Sequence, residues 1–477
     1  MHLMALLRIK RPEALKEHSP ADLGRVLGLD RAPEVKTLRR KLARLAGAGR
    51  AADFGEALAE RRIAQRGEAL GFLYVDGHVR VYHGKHTIPK AHVARRRLAA
   101  PATTDYWVND KHGDPLFVVT AEANSGMVKV LPILLSQVRA MIGNRRLTVV
   151  FDRGGYSPKL FLRLVESGFD ILTYRKGRCP PVLRKRFRMH EGRLDGRALS
   201  YVLADQQVRF LKGKLRLRQV TRLTDSGHQT QVLTSRRDLK ALEVAFRMFE
   251  RWRQENFFKY LREEYALDPL VEHDVVPDDP ARQVPNPQRK ALDAALRSAR
   301  AELTRLQADY GRAAFSQLEG APHPMRGLKN AQVALGRSIR SALKRVTGLE
   351  AKRAPLPARI PVRQAVSGEI VRLAPERQHL ISLLKMVSYQ AESDLVSLVE
   401  PHYRRADQEG RTLIQSALAS AADLEVTDRQ LRVRLHPLSS SHRSHALAGL
   451  CDELNRSPFL FSGSRLRLHF SISTQPK

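Results

Sequence analysis

The sequence predicts an α/β core followed by antiparallel strands and flanked by helices, and three observations predict it. First, RLTVVFDRGGYSPKLFLRLVESGFDILTYRKG reads as strand 147–151, a Gly-Gly turn, a helix started by Ser157-Pro158, and strand 169–174. Both strands are almost continuously apolar, as parallel strands covered on two faces must be, so the unit is β-α-β. Second, GFLYVDGHVRVYHG and PLFVVTAEAN lie upstream with strand composition and period-two spacing. Third, residues 190–235 alternate basic and apolar side chains around a turn at Asp225-Ser226-Gly227, the pattern of antiparallel strands with arginines outside.

The elements follow in order. Residues 1–66 are helical and basic, with Ser19-Pro20 as a helix start and a second, Arg- and Leu-rich helix behind it. They suit a helix-turn-helix that binds DNA and a simple helical packing unit equally well. The strand near residue 75 sets Leu73, Val75, Val79 and Val81 on one face. GMVKVLPILLSQVRAMIG is an apolar helix packed on the sheet, and RDLKALEVAFRMFERWRQENFFKYLREEYALD one long amphipathic helix. A boundary falls in VEHDVVPDDPARQVPNPQ. Beyond it, residues 287–350 form a helical hairpin on Leu292, Leu296, Leu303, Leu306 and Tyr310 against Leu335, Ile339, Leu343 and Val346. AKRAPLPARIPVRQ is a linker, and 360–477 a mainly helical C-terminal region ending strand, helix, strand. The expected regions are therefore 1–66, 67–275, 287–350 and 360–477.

Composition narrows the function. A chain of 477 residues with 43% hydrophobic side chains holds two to four domains, each with a core. Lys and Arg number 83 against 49 acids, a net charge of +34. Such an excess selects a polyanionic partner, nucleic acid before anionic membrane. Cys179 and Cys451 alone exclude a disulfide framework and a cysteine-rich zinc module. No apolar run is long enough to span a bilayer, and MHLMALLRIKRPEALKEH lacks a cleavable leader pattern, so the expected location is the cytoplasm.

Three acids are candidates for chemistry. Asp152 ends a buried strand, where open α/β sheets place ligands, although a turn-capping Asp sits in the same place. Asp76 follows another apolar strand, but Asp76-Gly77 is also the strongest short-range hairpin signal, and taken alone the turn is favoured. Glu255 shares a helical stripe with Arg251, Lys259 and Arg262 near Trp252 and Phe258. That stripe suits an exposed ion-pair row, or a carboxylate holding a metal beside phosphates. No phosphate-binding glycine loop and no nucleophile elbow occur, and His442 and His445 lack partners at zinc spacing.

LYVDGHVRVYHGK, VVFDRGGYSPKLF and RWRQENFFKY, in that order, resemble the DDE transposases of bacterial insertion sequences, in the cut-and-paste group with a β-rich insertion before the last acid. The likeness covers residues 70–275 and continues as family-like sequence to the C terminus. It implies a ribonuclease-H-like core, a mixed sheet with helices, with its insertion at 185–236. It implies that Asp76, Asp152 and Glu255 hold two magnesium ions, manganese substituting, and that the protein cuts element ends and joins them to target DNA. Arg251, Lys259 and Arg262 become DNA contacts, and the protein a homodimer on double-stranded DNA, associated with the nucleoid when bound. The group's signature around the last acid places Tyr, Arg, Glu and Lys where this chain has Met248, Arg251, Glu255 and Arg262. Arginine can clamp a phosphate in lysine's place, but the tyrosine has no substitute at Met248. The alternative is a transposase-derived DNA-binding protein that has lost strand transfer. A plain two-metal nuclease would cut without joining.

Overall fold

The structure is a computed structural model and describes residues 1–66, 70–93, 98–121, 125–177, 179–249, 251–271, 273–318 and 325–473, with only the backbone described at 252–253, 316–318 and 325–332. Four helices open the chain: α1 (His2–Leu6), α2 (Pro20–Val26), α3 (Val35–Gly47) and α4 (Ala51–Arg66). The Ser19 hydroxyl accepts from the Asp22 amide at 3.3 Å with Pro20 in the first turn, so α2 starts where its cap residues demand.

The sheet region then runs β1 (Phe72–Val81), β2 (Lys90–Val93), β3 (Leu98–Asn109), β4 (Pro115–Thr120), α5 (Met127–Ile142), β5 (Leu147–Phe151), α6 (Pro158–Glu166) and β6 (Phe169–Tyr174). It continues through β7 (Arg188–Leu194), β8 (Arg197–Phe210), β9 (Leu215–Leu223) and β10 (Gln229–Thr234). Among the described residues these ten strands make one mixed sheet, ordered β2-β3-β1-β5-β6-β10-β9-β8-β7, with β4 paired to β3. β1, β5 and β6 are mutually parallel, whereas β3 runs antiparallel to β1 and β10 antiparallel to β6. The β-rich segment is thus an in-plane extension of the sheet, joined through Val232 opposite Tyr174.

Period two assigns the faces. Leu73, Val75, Val149, Phe151 and Ile171 pack with Leu131 and Leu135 of α5 and Phe161 of α6. Phe72, Tyr74, Val150 and Leu172 point the other way, toward α7 (Ala241–Phe249). The single long helix expected here is two, α7 and α8 (Trp252–Tyr265). Each serves a different cluster: α7 packs with Val220 and Val232, while Phe257, Phe258 and Leu261 of α8 pack with Trp107 and Val118. The second half of β1 also departs from expectation. Val79 and Val81 are only half-buried, and the covered face carries His78 and Arg80. Arg80 is neutralised by Asp105, both wholly buried, and donates to the Leu267 carbonyl at 2.8 Å, so polar pairing replaces apolar packing there.

The rest of the chain comprises β11 (Val275–Pro277), β12 (Gln283–Pro285), α9 (Pro287–Leu318), α10 (Met325–Arg353), β13 (Arg359–Pro361), α11 (Val362–Ala365), β14 (Val371–Leu373), α12 (Glu376–Val399) and α13 (Ala406–Ala419). It ends in β15 (Ala422–Val426), β16 (Gln430–Leu435), α14 (Ser441–Asn455) and β17 (Arg467–Ile472). Contacts divide the chain into two compact units, one of residues 1–84, 89–274 and 373–477, the other of 85–88 and 275–372. The N-terminal helices and the C-terminal region therefore belong with the sheet, because α12 packs on β4, α1, α3 and α4. The second unit contains the hairpin of α9 and α10 and the stretch expected as a linker, which forms β13 against β12 and then α11. No helix of the described residues is long and apolar enough to cross a membrane.

Candidate active site

β1 and β5 lie side by side in parallel register, Val75 opposite Phe151. The next residue in each case is an acid, Asp76 within β1 and Asp152 just past the end of β5. Both continue the face of Tyr74 and Val150, toward α7 and α8. Asp76-Gly77 forms no hairpin: β1 passes straight through it, with Gly77 opposite Tyr106 of β3. A Cβ on Gly77 would come within 3.0 Å of the Tyr106 ring.

Asp152 is held by one oxygen and Asp76 by both. Asp152 Oδ1 accepts from the Gly154 amide at 2.7 Å, and its backbone carbonyl accepts from Thr173 at 3.3 Å. Its second oxygen has no hydrogen bond to a described residue. Asp76 Oδ1 accepts from the Gly77 amide at 2.8 Å, and Oδ2 meets the Arg251 guanidinium at 3.1 Å. The glycines of FDRGGY have separate reasons. A Cβ on Gly154 would lie 2.8 Å from Asp152 Oδ1, and one on Gly155 2.5 Å from the buried Phe151 ring. Gly155→Ala should therefore destabilise the fold by about 1–3 kcal/mol through overpacking. Urea unfolding measures it, and an unchanged midpoint would mean that the ring yields freely.

Burial pushes the Asp76 carboxyl up to about 6, with Arg251 opposing and the neighbouring Asp152 charge adding to the rise. The Tyr106 hydroxyl, which donates to the Ser125 carbonyl at 3.2 Å, is pushed up to about 12 by burial and then by Asp152 and Asp76. A carboxyl raised on folding contributes stability that is fully present below the unfolded value near 4 and is lost as pH rises through about 6. Asp110, raised to about 6 by burial and then by Asp114, acts in the same window. Urea midpoints should accordingly fall between pH 4 and 6, part of that fall disappearing in Asp76→Asn. Identical profiles for the two proteins would contradict the assignment.

Glu255 stands exposed on α8, one turn beyond Arg251, which begins the helix. Tyr174, at the end of β6, senses both. Burial raises its hydroxyl, Arg251 and Arg153 oppose, and Glu255 adds to the rise. Among the described residues no three carboxylate, imidazole or thiol groups come close enough to enclose an ion, so the structure joins Asp76 to Asp152 without closing Glu255 onto them. Lys259 is exposed and Arg262 half-buried farther along α8, while the Trp252 side chain lies outside the described residues. Met248 is wholly buried in α7 among Phe72, Tyr74 and Val150, a packing residue only.

Two cationic neighbours escaped the sequence analysis. Arg153 lies over the Tyr174 ring at 5.6 Å, and Arg175 over Phe210 at 5.5 Å. Together with His228 they line a polar cleft of about 370 Å³. Arg175 directly follows the last residue of β6 and Arg153 stands two residues past the end of β5, so both lie beyond the carboxyl ends of parallel strands, as Asp152 does.

The chain is thus an α/β protein in which Asp76, inside β1, lies level with Asp152, just past the end of the neighbouring parallel β5, with Arg251 on Asp76. The chain belongs to the Transposase_29 family, described as "Transposase protein", whose model matches residues 1–474. No curated protein matches it. One solved structure similar to part of the chain is the piggyBac transposase synaptic complex with hairpin DNA, at a TM-score of 0.29 and 9% identity over 41% of each chain. So slight a likeness says nothing about the chemistry of this chain.

Proposed function

We propose that this chain is a DDE transposase, cleaving double-stranded DNA at element ends and joining the freed ends to target DNA on a ribonuclease-H-like core. The observation that carries this reading is the placement of Asp76 and Asp152 at the same level of adjacent parallel strands. Family membership supports it from outside the geometry.

Two carboxylates on adjacent strands, one raised to about 6 by burial with its neighbour's charge adding, form an oxygen donor set that a hard divalent cation would relieve. Asp76, Asp152 and Glu255 would hold two magnesium ions, Glu255 by a rotation of its exposed side chain. Magnesium, when bound, supplies a water or 3′-hydroxyl of lowered pKa and neutralises charge at the scissile phosphate. The Arg251 guanidinium, now on Asp76, is placed to clamp a DNA phosphate beside the acids. Lys259 and Arg262 extend that cationic row along α8. Action as a homodimer on paired ends follows from the resemblance alone.

A second reading, a DNA-binding protein that has lost strand transfer, is favoured by the exposure of Glu255 and the apolar burial of Met248. The deciding experiment uses a supercoiled plasmid carrying the terminal inverted repeats that flank the gene. Magnesium-dependent nicks at the repeat ends, followed by joined products, support the transposase. Tight end binding without nicks in magnesium or manganese supports the second reading, and cutting without joining indicates a nuclease.

A further inference from the structure

We infer that the helical hairpin of α9 and α10 is a sequence-independent DNA arm, whose exposed Arg337, Arg340 and Lys344 lie against the backbone phosphates of duplex DNA. The inference rests on DNA being the substrate, as proposed above.

The hairpin is unusually charged. Residues 287–353 hold 14 Lys and Arg against 5 acids, giving this 67-residue stretch +9 of the chain's +34. That density is about twice the average for the remaining chain. The acids that are described are all committed. Arg353 pairs with Asp293, Arg345 with Glu302 at 3.2 Å, Arg300 with Glu350 at 2.5 Å and Arg312 with Asp309 at 2.5 Å. The first three of these pairs cross between the helices and staple them alongside the apolar seam of Leu296, Ala299 and Val346.

What is left over is cationic. From Met325 to Leu349 the chain carries six Lys and Arg and no acid. Arg337, Arg340 and Lys344 recur at helical spacing on one face of α10, all exposed, with no ion pair to a described residue. They span about 10 Å of helix axis, enough for two or three backbone phosphates. Ser341 and Gly348 lie on the same face, and a Cβ on Gly348 would meet nothing within 4 Å, so the surface between the cations is low and open. An ordinary solvated helix face mixes both signs. Docking to a second copy of this hairpin would bring two +9 surfaces together, which like charge opposes.

The test compares full-length wild type with Arg337→Gln/Arg340→Gln/Lys344→Gln on a 40-base-pair duplex without element ends. Fluorescence anisotropy is followed from 50 to 300 mM KCl, circular dichroism checks helix content, and light scattering gives the oligomeric state. Loss of three phosphate contacts should make the log–log salt slope shallower by about 2–3 and weaken binding at 100 mM salt by about tenfold or more. Arg337→Lys/Arg340→Lys should keep the wild-type slope. An unchanged slope in the triple Gln variant overturns the proposal. So does conversion of a wild-type dimer to monomer at constant slope, which would make this face a self-association surface. Steep wild-type binding that the variant leaves intact sinks the arm alone. A wild-type protein that binds no duplex sinks the arm and the proposed function together.

Discussion

Asp152→Asn is expected to fold normally, to bind element ends, and to lose magnesium-dependent cleavage by about 10³-fold or more, roughly 4 kcal/mol of barrier. The asparagine carbonyl can accept from the Gly154 amide as Asp152 Oδ1 does, so the turn survives. The charge that a divalent cation requires is gone. A second readout needs no catalysis. Removing the Asp152 charge should lower the Asp76 pKa from about 6, visible by NMR titration of the carboxyl carbon. Full cleavage in this variant would leave Asp152 a turn residue only. An unmoved Asp76 would show that the two acids do not sense each other.

The largest expected loss of stability lies away from the strand ends, at Glu392 on α12. This carboxylate is wholly buried and accepts from Arg8 at 2.9 Å, from the Tyr265 hydroxyl at 2.5 Å and from the Tyr260 hydroxyl, with Arg411 at 3.8 Å. Both tyrosines belong to α8 and have their hydroxyl pKa raised, first by burial and then by the Glu392 charge. Glu392→Ala takes the acceptor from two tyrosine hydroxyls and removes one of the two carboxylates on the half-buried Arg8, leaving Glu264 at 3.0 Å, and should cost about 3–5 kcal/mol. Glu392→Gln retains acceptor capacity and should cost less. Urea unfolding gives both values, and a loss under about 1 kcal/mol for Glu392→Ala would mean that Arg8 and the tyrosines find other partners.

The local pattern was legible wherever one stretch of chain makes its own case. VVFDRGGYSPKLF announces a buried strand, a turn too tight for side chains and a capped helix, and the structure supplies the reason for each glycine. Asp76 could be read only through resemblance, because Asp-Gly in a strand and Asp-Gly in a hairpin look alike until β3 is seen to run past it. The break between α7 and α8 was invisible because both halves are amphipathic, and only the separate clusters under them distinguish two helices from one. The burial of Arg80 and Glu392 was out of reach in principle. Their partners Asp105, Ser382, Arg8 and Tyr260 are 25 to 384 residues away in sequence, and no local period records such pairs.

The clamp on α8 also sets a timetable. Ribosomes deliver a chain from its N terminus, and domains ordinarily fold as they emerge. Asp76, Asp152 and Glu255 are all made well before Glu392 and Arg411, which tie α8 to Arg8. A nascent chain therefore possesses every acid of the candidate site while the helix carrying the third still lacks its contacts with Glu392 and Arg411. A message truncated between codons 270 and 391 would encode the full acid set in a product whose α8 lacks the buried Glu392 beneath its two tyrosines. Such products should be degraded rapidly in cells while full-length protein accumulates.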